Sequence, residues 1–282
     1  GQGGLLAETS PAFARLVAKA PDFRTRYLLL GPAAAIARSG DRAAERFVIE
    51  ATLRDADEHV RARAAEVAGE LPEAITALES ALRDKPRVRD AALVSIARLS
   101  DPRGKVQNRV WPATLFPRVA ELLETEPFTF VRSHAADALV FAPAGESADG
   151  PLAKALNDAS PTVRARAVES LGRRGALRHA GELRARLDDE DEILDVRVRA
   201  ARALGRVCDA SAASRLTELA RKAASPSPAG GDLAIGASAA AALGRLRPPD
   251  LAGRLAPLSA KGASRIAQEI ARVAFESTER CQ

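Results

Sequence analysis

Methionine is missing from this 282-residue chain, position 1 included, so the opening Gly1-Gln2-Gly3-Gly4 is expected to be a processed, truncated or engineered end. The native N-terminus, with any compartment signal, is expected to have been removed. No run of about 18 apolar residues occurs, which excludes a helical membrane span in the residues present and leaves exported, cell-envelope and cytoplasmic locations open. Two cysteines, Cys208 and Cys281, are too few for a disulfide framework or a structural metal site. Whether they pair stays open, because single bridges persist mainly in exported proteins, and Cys208 otherwise reads as a buried, inert thiol near the end of a core helix. The three histidines, His59, His134 and His179, lie far apart, none four residues from another, so no metal is expected. No G-x-S-x-G elbow, phosphate-cradling glycine loop or dinucleotide fingerprint occurs, so neither a cofactor nor a catalytic residue is assigned. Aromatic residues make up 4%, too few to wall a wide pocket.

What is abundant is alanine, within an apolar fraction of 46% that can bury a continuous core. Alanine with leucine, valine, arginine and glutamate favours helices whose small side chains let backbones pack closely. The formal charge of +5 comes from 42 basic against 37 acidic residues. Most of it is balanced, which describes a solvated, ion-paired surface before it describes a partner.

Internal self-similarity decides the fold class. The phrase V-R-x-x-A-x-x-A-L-G recurs with substitutions, led by Val60, Val88, Val131, Val163, Val196 and Ile235, at intervals of about 28 to 43 residues. Within each phrase small or apolar residues fall at helical steps, as in Val163, Ala167, Ser170 and Leu171, which makes one buried stripe. A second amphipathic helix precedes each phrase, for example Ala74 to Leu82 or Gly181 to Leu187. Asp55, Glu126, Asp158 and Asp191 each stand five residues before a lead residue, and Asp84 four before Val88, where a carboxylate can cap the amides of the following helix. The pattern predicts an opening hairpin with Tyr27 to Ala37 as its second helix, a first helix over Arg42 to Leu53, and a closing helix over Ser264 to Glu276.

The combination L-x-D-x(4)-V-R-x-x-A-x-x-A-L-G, best kept at Leu156, Asp158, Val163, Arg164, Ala167, Leu171 and Gly172, resembles the HEAT repeats of the phycobilisome-lyase subtype. The resemblance implies an all-α solenoid, a superhelix of about six to seven helical hairpins. It divides the chain into a capping segment over 1–24, a repeat array over 25–247 and a C-terminal capping helix and tail over 248–282. Activity is barely constrained, since such repeats occur in protein-binding scaffolds, bilin-attaching enzymes and, more distantly, DNA alkylpurine glycosylases.

Three stretches break the period: 101–116, 142–151 and 225–231. The first holds Trp111, beside Arg109 and Pro112, which is either a contact anchor or a ring folded back into the gap between units. Arg61, Arg89, Arg132, Arg164 and Arg197, each directly after a lead residue, read as structural bridges between turns rather than as a binding ladder. The outward positions of the second helices, three, six and ten residues beyond the lead, would line a concave surface. They are Arg63, Glu66 and Glu70, then His134, Asp137 and Phe141, then Arg166, Glu169 and Arg173, then Arg199, Arg202 and Arg206, then Ser238, Ala241 and Arg245. Along the helix led by Val196 no acidic residue stands between the arginines.

Arg166, Arg173, Arg199, Arg202, Arg206, Arg245 and Trp111 are therefore the candidate partner-binding residues of a non-catalytic scaffold whose concave face takes an acidic protein or peptide. Nucleic-acid binding through the phosphate backbone is the alternative. A bilin-lyase-like enzyme is the third reading and lacks a convergent set of polar groups. The oligomeric state is not readable.

Overall fold

A computed structural model describes residues 22–104, 111–143 and 148–281. Among them all regular structure is helical. The chain divides into two compact units, Gly1–Ala148 and Asp149–Gln282. The expected capping segment 1–24 lies almost wholly outside the described residues, as does Arg109.

In the first unit α1 (Phe23–Ala37) is followed by three hairpins: α2 (Arg42–Arg54) with α3 (Glu58–Ala68), α4 (Ile75–Ala81) with α5 (Pro86–Ser100), and α6 (Leu115–Thr125) with α7 (Thr129–Leu139). The second unit holds four: α8 (Asp149–Ala155) with α9 (Pro161–Arg174), α10 (Ala180–Asp188) with α11 (Leu194–Arg206), α12 (Ala213–Lys222) with α13 (Gly230–Leu246), and α14 (Leu251–Ser259) with α15 (Arg265–Phe275). Second helices stack on second helices, α1 on α3, α3 on α5 and α5 on α7, then α9 on α11, α11 on α13 and α13 on α15. This is α-solenoid architecture, and the lead residues Val60, Val88, Val131, Val163, Val196 and Ile235 are all buried at its joints. The opening helix starts four residues earlier than the periodicity predicts because the Asp22 carboxylate accepts from Thr25 N at 2.9 Å and caps it. The loop after α12 ends sooner than expected, Gly230 and Gly231 being helical.

The glycine that closes the repeated phrase is where neighbouring second helices approach most closely. A Cβ on Gly172 would lie 2.9 Å from Ala203 Cα, one on Gly205 2.8 Å from Ala242 Cα, and one on Gly244 2.8 Å from Ala274 Cα. Backbone cannot retreat as a flexible side chain can, so the stack needs glycine there. We expect Gly244→Ala to lower stability by about 2 kcal/mol, overpacking outweighing alanine's better helix propensity. A urea melt checks this: the midpoint should fall with the slope unchanged.

The turn carboxylates act differently from the capping expected of them. Asp55 Oδ1 accepts from Asp57 N at 3.0 Å, Asp158 Oδ1 from Ser160 N at 2.8 Å, and Glu126 Oε1 from Phe128 N at 3.4 Å. These amides precede the helices, so the carboxylates brace the turns, and α3 is capped by Asp57 instead. In the turn before α11 the role falls to Glu192, which is buried, while the expected Asp191 is exposed.

Three of the arginines after the lead residues, Arg61, Arg89 and Arg164, are the structural bridges the sequence implies, whereas Arg197 donates to the carbonyl of Leu187 at 3.1 Å, within its own hairpin. Arg61 donates to both oxygens of Asp84, at 2.5 and 2.9 Å, and to the carbonyl of Asp55 at 2.7 Å. Arg89 reaches Glu126 at 3.0 Å, and Arg164 takes both oxygens of Glu192 at 2.7 Å while Nη1 donates to the carbonyl of Asp158 at 2.8 Å. Arg26, in α1, grips Asp55 the same way. Arg61, Arg89 and Arg164 thus each tie their own turn to the next along the stack, a task suited to the planar fork. The Arg61 hydrogen bond holds the Asp84 carboxyl below its ordinary range.

Candidate functional site

The candidate residues of the second unit do share one face. Arg166 and Arg173 project from α9, Arg199, Arg202 and Arg206 from α11, and Arg245 from α13, each at an outward position of a second helix. The stacking of these helices, with α10, α12 and α14 behind them, brings three sequence-distant segments into adjacent rows.

Their charges are answered more fully than a reading along one helix implies. Arg199 pairs with Glu169 of the neighbouring helix α9 and with Asp195, whose Oδ2 lies 2.9 Å from its Nε. No acidic residue stands between the arginines of this row, yet carboxylates from outside it answer Arg199. Glu169 becomes a neighbour only through stacking, whereas Asp195 stands four residues before Arg199 and was legible as a helical pair. Arg245 pairs with Glu279 from the C-terminal tail. Arg166 and Arg173 have partners too. Arg202 is exposed, and its Nε donates to the buried hydroxyl of Ser238 at 3.1 Å, a neutral partner. Among the described residues neither Arg202 nor Arg206 meets a carboxylate.

Trp111 is not a contact anchor. The ring is 7% exposed, and its Nε1 donates to Ser100 Oγ at 2.7 Å, at the end of α5. The ring folds back into its own unit, because a large ring gains more from burial once its single N–H has an acceptor.

The second-helix face of the first unit has a chemistry of its own. A cavity of about 350 Å³ is lined by Tyr27, His59, Arg63, Glu66, Arg87 and Asp90, among others. At its far side His134 Nδ1 lies 2.6 Å from Asp90 Oδ1, and Arg63 pairs with Glu66 at 2.7 Å. His134 was legible as an outward residue, but Asp90, one helix away, was not. Among the described residues no group of three His, Cys, Asp or Glu converges as metal ligands. Phe128, the N-cap of α7, and Phe130, in its first turn, form an exposed pair with centroids 5.7 Å apart. Periodicity missed them because they lie outside the repeated phrase.

The tail makes the remaining feature of the second unit. Cys208, just past α11, is disulfide-bonded to Cys281, with the Cα atoms 5.6 Å apart. The expectation of an inert buried thiol is corrected accordingly.

Helical hairpins stacked second helix on second helix, with arginine–carboxylate bridges joining several of their turns, define an α-solenoid repeat protein. Residues 150–227 match the family model described as HEAT repeats. No curated protein matches its sequence. Among solved structures, YibA of E. coli is 18% identical, with 98% of this chain and 97% of that one covered and a TM-score of 0.58. The complex of CpcE and CpcF of phycocyanin lyase from Nostoc sp. PCC7120 is 19% identical, with 82% of this chain and 93% of that one covered and a TM-score of 0.50. Human deoxyhypusine hydroxylase, at 20% identity, covers 86% of this chain and 97% of its own with a TM-score of 0.38, too low to carry an argument. At these identities the likeness is one of fold. No helix among the described residues is long and apolar enough to cross a membrane.

Proposed function

We propose that this HEAT-repeat chain is a non-catalytic scaffold that holds an acidic protein or peptide segment against the second-helix face of the Asp149–Gln282 unit. The observation that carries this reading is the pair Arg202 and Arg206. They stand one helical turn apart on α11, without a carboxylate partner among the described residues, and like charges so placed cost stability unless something anionic visits. Arg199 and Arg245 flank them. Their own partners, Glu169, Asp195 and Glu279, are partly or largely exposed, so these pairs are weakly held and a partner's carboxylates can exchange with them. Guanidinium forks match carboxylate and phosphate oxygens alike, and so few unneutralised arginines suit a short glutamate- or aspartate-rich segment better than a nucleic-acid backbone.

Titration of a fluorescein-labelled oligoglutamate peptide into the full chain tests this. Binding should weaken as salt rises, and the Arg202→Glu and Arg206→Glu double variant should bind roughly ten-fold or more weakly. Wild-type affinity in the double variant would sink the assignment of this face. A parallel titration with duplex DNA serves the alternative: tighter binding than the peptide, with a steep salt dependence, would replace the protein partner by a phosphate backbone.

A further inference from the structure

We propose that residues Ser277–Cys281 are a strap, latched by the Cys208–Cys281 disulfide, that occupies the Arg245 end of the arginine face with its own Glu279 and opens when the disulfide is reduced. The inference rests on the function proposed above and deepens it: Glu279 is a built-in stand-in for the partner's carboxylate, and the partner competes with it.

Two backbone outliers point to the strap. The position twelve residues beyond the lead residue ends the second helix in a left-handed conformation three times in succession, at Gly175 (φ 69°), Cys208 (φ 60°) and Arg247 (φ 49°). Glycine adopts that conformation without cost, and Gly175 fills it in the ordinary way. Cys208 and Arg247 do not, and they are the only non-glycine residues with positive φ among those described. Both hold the end of the chain: Cys208 by its disulfide, Arg247 by donating from Nη2 to the carbonyls of Phe275 at 2.5 Å and Ser277 at 3.3 Å. A strained residue retained where glycine would relax the backbone marks a side chain that is needed.

The strap is laid out by few contacts. Cys281 N donates to Arg245 O at 3.0 Å, its sulfur lies 3.5 Å from the carbonyl oxygen of Gly205, and Ser277 Oγ donates to Glu279 O at 3.1 Å. Beneath it a cavity of about 400 Å³ is lined by Ala241, Val273, Glu276, Ser277, Thr278 and Glu279, so the strap stands over α13 without packing down on it. Glu279 is 75% exposed, which makes its pairing with Arg245 open to exchange. The disulfide is therefore the main fixture of the segment.

Opening requires a thiol reductant. A thiolate attacks one sulfur of the bridge, and the other leaves as a thiolate and takes a proton. A second thiol then resolves the mixed disulfide. Two electrons and two protons pass to the protein, leaving two free cysteines, and the reductant leaves as its own disulfide. Cys208 and Cys281 are both partly exposed, so a small dithiol can reach them.

The test compares the oxidised full chain, the same chain reduced with dithiothreitol, and the Cys281→Ser and Glu279→Gln variants, all titrated with the oligoglutamate peptide. Hydrogen exchange across 277–281 is followed in parallel. Reduction and Cys281→Ser should each tighten binding about five-fold, the equivalent of one exposed ion pair removed from competition, and Glu279→Gln should give part of that gain with the disulfide intact. Exchange in the strap should rise on reduction. Equal affinities of oxidised and reduced chain, or a strap that stays protected when reduced, would overturn the strap and leave the scaffold reading standing. Failure of every form to bind the peptide would remove the scaffold reading and the competition together.

Discussion

Arg164→Ala is expected to destabilise the Asp149–Gln282 unit by about 3 kcal/mol, because it strands a buried carboxylate. The Glu192 side chain is 1% exposed, and two of its bonds come from the Arg164 fork, the others being a 2.8 Å bond from the Ile193 amide and a 3.5 Å contact with Arg186. Burial alone would raise the carboxyl, yet the Arg164 hydrogen bonds, the Ile193 amide and the charges of Arg164 and Arg186 together hold it below the ordinary glutamate value. A carboxyl depressed by folding stabilises fully above its unfolded-state value and loses that contribution as pH falls through its folded-state value. Wild type should therefore lose stability on the acid side, and the gap between it and Arg164→Ala should narrow there as Glu192 takes up its proton. Arg164→Lys should recover little, since an ammonium cannot bridge two carboxylate oxygens and the Asp158 carbonyl at once. Glu192→Gln, which keeps the shape and removes the charge, should cost less than Arg164→Ala. Urea melts across pH decide the matter: a loss under about 1 kcal/mol, or a gap independent of pH, would mean the bridges ornament the stack rather than join it.

Reduction of the Cys208–Cys281 bridge should cost somewhat more, through a different term. The cysteines are 73 residues apart, and a loop of that size removes enough entropy from the unfolded chain to stabilise folding by about 4 kcal/mol. For a unit of this size that is a fall in Tm of roughly 10 °C or more, reproduced by Cys281→Ser without reductant. Glu279→Gln should leave Tm almost unchanged, which separates the bridge's role in stability from the strap's role in covering Arg245. A shift of less than about 2 °C would mean that the unfolded chain gains little freedom when the bridge opens.

Legibility followed the range of the interaction. Hairpin order, the buried lead residues and the arginines as bridges could be read because helical periodicity, turn chemistry and spacing within a repeat span a dozen residues or fewer. The candidate face was half legible: counting three, six and ten beyond the lead placed Arg166, Arg173, Arg199, Arg202, Arg206 and Arg245 on one side of the second helices. Their partners from other elements were not. Glu169 and Arg199 are 30 residues apart, Arg245 and Glu279 34, and Asp90 and His134 44, and no local rule couples such positions.

By itself the sequence determined that this chain would pile helical hairpins, since no unit can bury its apolar stripe without a neighbour. Which arginines keep an unanswered charge, where Trp111 turns, and that Cys281 returns to Cys208 were decided only in the tertiary structure. Each depends on which side chains stacking brings within about 3 Å, and that distance is set by the approach of whole helices, not by any residue's neighbours along the chain.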